Sequence, residues 1–262
     1  MTKAMVGHFN IVLRRWFVLW ELTKRELRRK YARSYLGILW SIVYPLLRMA
    51  LVVFLFSHVF SKGIDKYPAY YFTAYLLFEF FKTATETSLT TLKDNANLLV
   101  KSKLSRNLFV LSRVLTAFVN LLLGCIPYAL VLLYYRVQFS WYLLLLPVDF
   151  FFLTLFVTGV SYALSIWFVF LPDARSIHSN IIFALRFFVA MFYAVDWVSP
   201  VIQKVIVHNP PYTYIKIARD LIVYGQLSEP FYYIQMFAFG VGFYIFGRII
   251  FKAYENQVVE KL

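Results

Sequence analysis

The sequence predicts an all-α integral membrane protein with six transmembrane helices, an N-terminal amphipathic interface helix and two short re-entrant gate helices outside, between spans 5 and 6. Its 262 residues are 61% hydrophobic and only 15% charged, with a mean hydropathy of +0.66. A soluble domain is usually about 45–50% apolar. Long apolar runs recur along the whole chain. We therefore expect residues 1–262 to form a single transmembrane domain.

Six apolar segments approach the roughly 20 residues that a helix needs to cross the hydrocarbon core of a bilayer. The second segment is the weakest, because Glu79, Lys82 and Glu86 lie in its later half. The first segment is too long for a signal-peptide core, so we expect it to be retained. The predicted spans are residues 36–60, 69–90, 108–135, 142–170, 178–198 and 231–251.

The distribution of Lys and Arg predicts the orientation of the chain. If the N-terminus is inside, most of the 27 Lys and Arg residues fall in inner segments, chiefly before the first span and in residues 91–107. Because Lys and Arg are enriched on the cytoplasmic side, both termini, including the tail 252–262, are expected in the cytoplasm. The net charge of +14 is then explained by topology and not by nucleic-acid binding.

The segment 1–35 predicts an amphipathic helix on the inner surface. Apolar residues recur at nearly helical spacing, and Lys and Arg occupy much of the remaining face. Two interpretations stay open: an anchor that rests on lipid headgroups, and a docking surface for a cytoplasmic partner. The apolar positions are Val12, Trp16, Trp20, Leu27 and Tyr31.

Residues 91–107 predict a short inner helix. Leu98, Leu99 and Val100 lie between polar ends. An exposed apolar patch on such a helix often marks a contact surface. The alternative is an ordinary inner loop.

Residues 199–230 predict two short amphipathic helices on the outer side, separated by Asn209, Pro210 and Pro211. Neither is long enough to cross the bilayer. Together they can enter the outer leaflet and return, above the mouth of any channel. The alternative is an outer cap that rests on lipid and has no part in transport.

Charged side chains within spans are costly and usually face an interior or a cavity. Arg48 and Arg186 lie deepest, so we expect both in the interior, whereas Arg113 and Asp196 are near span ends and can snorkel. Aromatic residues follow Arg186. Such residues commonly pack between helices, but sugars also stack their CH faces on aromatic rings.

The sequence predicts no catalytic or metal site. The stretch GFYIFGRI at 242–249 resembles a phosphate loop only superficially, because it has Arg for Lys and Ile for Ser or Thr, within an apolar span. The four histidines are scattered, and the single cysteine, Cys125, is expected to be a buried apolar residue.

Four motifs in order resemble the permease subunits of ABC exporters for lipid-linked polysaccharides, the O-antigen, capsule and teichoic-acid group. They are RRKYARSYLGILWSIVYPLL at the first span, NANLLVKSKLSR after the second, LPDARSI after the fourth and HNPPYTYIKIARDLIVYG on the outer side. The likeness covers most of the chain. Two departures occur: Pro172 replaces the usual Arg before Asp173, and Leu104 and Ser105 stand where the coupling segment commonly has Pro.

The resemblance implies a homodimer in a bacterial plasma membrane, bound to two copies of an ABC ATPase subunit. That subunit would bind ATP and magnesium, and this chain would bind no cofactor. The substrate would be a lipid-linked glycan. Residues implied at the channel are Trp40, Tyr44, Arg48, Arg186, Phe187, Phe192 and Tyr193. Residues implied at the ATPase contact are Arg25, Arg28, Arg29, Asn95, Leu98, Leu99, Lys101, Arg106 and Asp173. Residues implied at the outer gate are Asn209, Pro210, Tyr212 and Arg219.

Three other functions remain open at this point. The chain could be an ABC exporter of drugs or small lipids. It could be a membrane-embedded glycan-modifying enzyme that uses Glu79, Glu86 and Asp149. It could also be a proton-coupled transporter that uses the same carboxylates without an ATPase.

Overall fold

The computed structural model describes residues 2–32, 35, 37–60, 64, 66–101 and 104–261, without the side chains at 2–13, 56–60 and 259–260. The described residues form helices joined by turns, without strands. Arg33, Ser34, Leu36, Ser102 and Lys103 of the motifs above lie outside this description. The α-helices are α1 (Thr2–Tyr31), α2 (Trp40–Phe60), α3 (Tyr67–Asp94), α4 (Ala96–Lys101), α5 (Asn107–Tyr134), α6 (Leu146–Phe170), α7 (Ala174–Phe188), α8 (Pro200–Val207), α9 (Pro210–Arg219) and α10 (Pro230–Lys261).

Four helical stretches of the described chain are long and apolar enough to cross a membrane, by length and composition. They are Gly37–Leu55, Asn107–Tyr134, Trp141–Phe170 and Pro230–Val258. They correspond to the first, third, fourth and sixth predicted spans. We call the end of the bundle that holds α4 the inner end and the opposite end the outer end, following the predicted orientation.

The prediction of a continuous fifth helix over 178–198 was wrong. Helix α7 begins earlier, at Ala174, and ends at Phe188 after 15 residues. At 1.5 Å per residue it is about 22 Å long, which is less than the roughly 30 Å hydrocarbon core. An irregular turn follows, in which Ala190 has a φ of +46°, before a 3₁₀ turn at Val195–Trp197.

Helix α3 is the centre of the bundle. Its 28 residues are long enough to cross a bilayer, and most of them are buried against α5, α6, α9 and other elements. A helix that is surrounded by protein can carry polar side chains that lipid would not tolerate. This position explains why the second predicted span has the weakest apolar character. Of the three charged residues noted above, Glu79 and Lys82 are partly exposed and Glu86 is exposed.

Glycines allow α6 and α10 to pack with their backbones in contact. A Cβ atom on Gly247 would collide with the backbone of Gly159, and one on Gly159 would collide with the backbone of Phe243. Close approach at small residues is a common way for membrane helices to associate. Near the inner end, Phe251 of α10 joins Tyr162 of α6 in an apolar cluster that also contains Leu22, Leu92, Leu99 and Phe109.

Candidate substrate path and inner docking surface

An open groove runs between α1, α2, α3 and α5, and we call it the aromatic groove. Its volume is about 620 Å³. Three of the predicted channel residues, Trp40, Tyr44 and Arg48, line it from α2. Tyr75 and Glu79 of α3 line the facing wall, with Lys30, Tyr31, Ser41, Pro45, Leu76, Phe80, Thr83, Ala117, Asn120 and Leu121.

The groove combines aromatic rings with charged and polar groups. The rings of Trp40 and Tyr44 lie 4.6 Å apart, and Tyr44 is 55% exposed. The Arg48 guanidinium lies 3.9 Å from the Glu79 carboxylate, a loose pair between exposed and partly exposed side chains. Such a pair contributes little to stability, so its groups remain available to a ligand.

The predicted channel residues Phe187 of α7 and Phe192 of the turn that follows it join the same surface through two tyrosines of α3. The ring of Tyr71 lies 6.0 Å from Tyr75 and 5.8 Å from Phe192, whose ring is 6.3 Å from Phe187. The structure therefore brings the α2 and α7 candidates to one face of α3.

Sequence reasoning missed Tyr71 and Tyr75. A signal was present, because Tyr71, Tyr75 and Glu79 recur every four residues and so share one face of a helix. Tyr193 lies beside this row, and its hydroxyl donates a hydrogen bond to the carbonyl oxygen of Phe187 at 2.6 Å.

A second opening, the polar cavity, continues from the groove toward the inner end. Its volume is about 470 Å³, and it shares Lys30, Thr83, Ala117 and Asn120 with the groove. Cationic and acidic side chains both line it: Arg29, Lys30, Arg113 and Arg175, and Glu26, Glu86 and Asp94. Desolvation lowers the pKa of the Lys30 ammonium below its ordinary value, while the nearby Glu79 carboxylate opposes this shift.

The predicted ATPase-contact residues fall into two groups. The first group makes contacts within the chain. The Arg25 guanidinium donates a hydrogen bond to the Asn95 side-chain oxygen at 2.7 Å. Arg106 donates to the side-chain oxygen of Asn256 at 2.9 Å, and Leu99 is buried. The remaining candidates are exposed at the inner end, and they are Arg28, Arg29, Leu98, Lys101 and Asp173.

The predicted outer gate residues lie inside the fold. Helices α8 and α9 confirm the two short helices expected in 199–230, and a π-helical turn at Asp220–Tyr224 extends α9. Arg219 is only 2% exposed, and Tyr212 and Asn209 are also buried. Pro210 begins α9 and is partly exposed.

Arg219 and its neighbours hold the irregular turn after α7, in an arrangement that we call the outer clamp. The Arg219 guanidinium donates hydrogen bonds to the carbonyl oxygens of Ala190 at 3.0 Å and Met191 at 3.4 Å, and it stacks 3.4 Å from the centre of the Tyr70 ring. Further donors are Tyr67 to the Phe192 carbonyl, Tyr70 to that of Tyr193 and Asn209 to that of Phe188. These side chains donate hydrogen bonds to carbonyl groups that have no helical partner where α7 ends. Non-helical backbone inside a membrane protein requires such partners, because no water is present to bind it.

The described residues offer no catalytic or metal arrangement. No group of three His, Cys, Asp or Glu side chains among them is placed to hold a metal ion. Asp149, one of the three carboxylates considered for an enzyme, is 1% exposed, and both of its oxygens lack a hydrogen-bond partner. Gly242 and Arg248 of the stretch 242–249 lie in the continuous helix α10.

Comparison with known proteins gives consistent matches. The model of the ABC-2 type transporter family matches residues 18–223. The chain is 26% identical over 246 residues to the O-antigen export system permease protein RfbA of Klebsiella pneumoniae, with 92% of this chain and 93% of that protein covered. It is 29% identical over 183 residues to the protein of that name from Myxococcus xanthus, with 70% of each covered.

Proposed function

Because the chain belongs to the ABC-2 type transporter family, we propose that it is the channel-forming subunit of an ATP-driven exporter of a lipid-linked polysaccharide. The polymer is of the O-antigen, capsule or teichoic-acid type and moves from the cytoplasm to the outside. The names of the similar permeases from Klebsiella pneumoniae and Myxococcus xanthus support this substrate class.

The observation that carries the proposal is the composition of the aromatic groove. Tyr44, Tyr75 and Trp40 provide ring faces for sugar CH groups, while Arg48 and Glu79 provide charged partners for hydroxyl groups. The groove is open and not enclosed, and its aromatic row continues along α3 to Phe192. A path for a small apolar drug would need fewer charged groups.

The polar cavity supplies a place for the charged end of the substrate. Lys30 lines both openings, and Arg29 and Arg175 lie beside it in the cavity. A phosphate of a lipid carrier would enter here from the inner leaflet, with the glycan directed toward Trp40. Cations next to an aromatic surface are suited to a ligand that has both a phosphate and a sugar.

The chain works, in this proposal, as a homodimer bound to two ATPase subunits that hold ATP and magnesium. The exposed inner residues Arg28, Leu98, Lys101 and Asp173 form the contact surface for the ATPase. Both termini lie in the cytoplasm of a bacterium, and the inner membrane is the site of action. This chain performs no chemistry itself.

The test is reconstitution of this chain with the ATPase encoded beside it, and measurement of glycan flux into proteoliposomes. Arg48→Ala and Arg186→Ala each remove one charge from the proposed path. We expect each to lower flux roughly tenfold, equivalent to ~1.4 kcal/mol, without loss of assembled complex. Lys204→Ala, on the exposed surface of α8, is the matched control and should leave flux unchanged.

Two results would contradict the proposal. Flux equal to the unaltered protein in both arginine variants would remove these residues from the path. Transport that persists without ATP while a proton gradient is maintained would replace the ATPase-driven mechanism with a proton-coupled one.

A further inference from the structure

Three elements meet at the inner end in an ionic contact whose α1–α5 pair is buried and whose Asp94 carboxylate is 41% exposed, and we call it the ion bracket. Arg113 of α5 pairs with the carboxylates of Glu26 in α1 and Asp94 at the end of α3. The Asp94 pair is 3.2 Å long, and the Arg113 Nε also donates to the Thr91 hydroxyl at 3.3 Å. The guanidinium of Arg113 therefore connects α5 to both α1 and α3.

A second contact lies beside the first. The Arg25 guanidinium donates to the Glu26 carboxylate at 3.0 Å and to the Asn95 side chain at 2.7 Å. Asn95 in turn donates to the Thr91 carbonyl at 2.8 Å. Residues 94 and 95 are the junction between α3 and the short helix α4. The bracket therefore fastens α1 to the junction between α3 and α4.

Burial separates the bracket from the other ion pairs of α1. The side chains of Glu26 and Arg113 are 5% and 12% exposed, whereas those of Glu21 and Lys24, which form a pair nearer the N-terminus of α1, are 49% and 41% exposed. A surface pair contributes little. A buried pair is different, because removal of one partner leaves the other charge desolvated with only a more exposed partner. Glu26 would keep Arg25, which is 43% exposed, and Arg113 would keep Asp94, which is 41% exposed. Separation of α1 from α5 is therefore strongly opposed.

We propose that Arg113 is a positioning residue that makes α1, α4 and the inner end of α5 respond as one body when a partner displaces α1 or α4. A displacement of α4 alone would break the contacts at Asp94 and Asn95, so α1 and α5 follow it. Glu26, Asp94 and Arg113 also line the polar cavity, so the same movement changes the inner opening of the candidate path. The inference rests on the proposed function, because it assumes an ATPase that docks on α1 and α4.

The first measurement needs neither ATPase nor substrate. Leu22 of α1 is buried in the inner apolar cluster. In a Cys125→Ala background, Leu22→Cys should resist a hydrophilic maleimide in inside-out membranes. We expect Arg113→Gln and Glu26→Gln to increase its labelling at least fivefold, Arg113→Lys to have a smaller effect, and Glu21→Gln to have none. Ser161→Cys, fully buried in α6, should stay unlabelled throughout and exclude general unfolding.

The second measurement is the number of glycan chains exported per ATP hydrolysed by the reconstituted complex. We expect Arg113→Gln to lower this ratio severalfold while ATP hydrolysis continues, and Arg113→Lys to restore part of it. The double variant Glu26→Gln/Arg113→Gln should be no worse than Arg113→Gln, because it also neutralises the buried carboxylate that loses Arg113.

The outcomes separate this inference from the proposed function. Unchanged labelling of Leu22→Cys in both Glu26→Gln and Arg113→Gln would overturn the bracket, whatever the chain transports. An unchanged export ratio in the presence of increased labelling would overturn its role in coupling. If Arg113→Gln fails to reach the membrane, Glu26→Gln and Arg113→Lys decide both questions, since each keeps part of the contact. Loss of the proposed function itself would appear as absence of ATP-dependent export by the unaltered protein.

Discussion

The three glycines of α10 form a graded test of how closely this helix packs against α6. A Cβ atom at Gly242 would meet nothing within 4 Å, and one at Gly240 would lie 3.0 Å from Phe152. One at Gly247 would collide with the backbone of Gly159, which cannot rotate away as a side chain can. The same substitution, Gly→Ala, therefore tests three distances on one helix.

The expected changes in the free energy of unfolding differ in sign among the three positions. At Gly242 the higher helix propensity of Ala should stabilise the protein by about 0.5–1 kcal/mol. At Gly240 overpacking of roughly 1–3 kcal/mol opposes this gain. At Gly247 the two helices must separate by more than about 1 Å to reach normal carbon contact at roughly 3.5–4.0 Å. We expect a loss of at least about 3 kcal/mol there.

The assay is thermal unfolding of the purified chain in one detergent, followed by the loss of monodisperse protein. Because about 1 kcal/mol corresponds to roughly 2–4 °C for a chain of this size, Gly247→Ala should lower the midpoint by about 6–12 °C. Gly242→Ala should raise it by about 1–4 °C. Equal midpoints for these two variants would refute the close backbone contact between α6 and α10.

Two further predictions concern buried polar groups near the outer end. Arg219→Met should destabilise the chain by about 3 kcal/mol or more, because the carbonyls of Ala190 and Met191 lose their donor. Arg219→Lys should destabilise it less. Equal unfolding midpoints for the Met variant, the Lys variant and the unaltered chain would show that the outer clamp is not needed for stability. Asp149→Asn should change stability by about 1 kcal/mol or less and leave ATP-dependent flux intact, because the carboxylate has no partner to lose. Abolished flux in Asp149→Asn, with the protein folded, would instead favour a proton-coupled role for this carboxylate.

Apolar patterning predicted most of the helices, because lipid-facing surface leaves a signal in consecutive residues. The helices α2, α5, α6 and α10 were recognisable for this reason. The two short outer helices were recognisable from Pro210 and Pro211, which separate them. The end of α7 at Phe188 was not, since the sequence from Phe187 to Val198 remains largely apolar. Helix α7 can end there because Tyr67, Tyr70 and Arg219 donate hydrogen bonds to the carbonyl groups that follow it. Hydropathy alone does not predict such contacts.

Side-chain positions were predicted less well than helices. Arg48 was expected in the interior and lies in an open groove, with a side chain 50% exposed. Arg113 was expected to snorkel, yet it is held by Glu26, a residue 87 positions away. Arg219 was expected at an outer gate, and its side chain is buried against the turn after α7. These positions share one feature: each of the three charged side chains contacts another helix or the turn after α7, and such contacts cannot be read from local sequence.

The weak apolar character of α3 is the sequence feature that connects fold and function. A helix at the centre of the bundle contacts protein on most sides, so its side chains need not be apolar to suit lipid. Tyr71, Tyr75 and Glu79 can therefore form a face that is both aromatic and charged. A purely structural central helix would gain stability from apolar residues at these positions. A charged group beside a tyrosine on the wall of an open groove is better suited to contact a polar ligand than to close packing. The inner end of the same helix carries Asp94, so the helix that lines the candidate path also ends in the ion bracket.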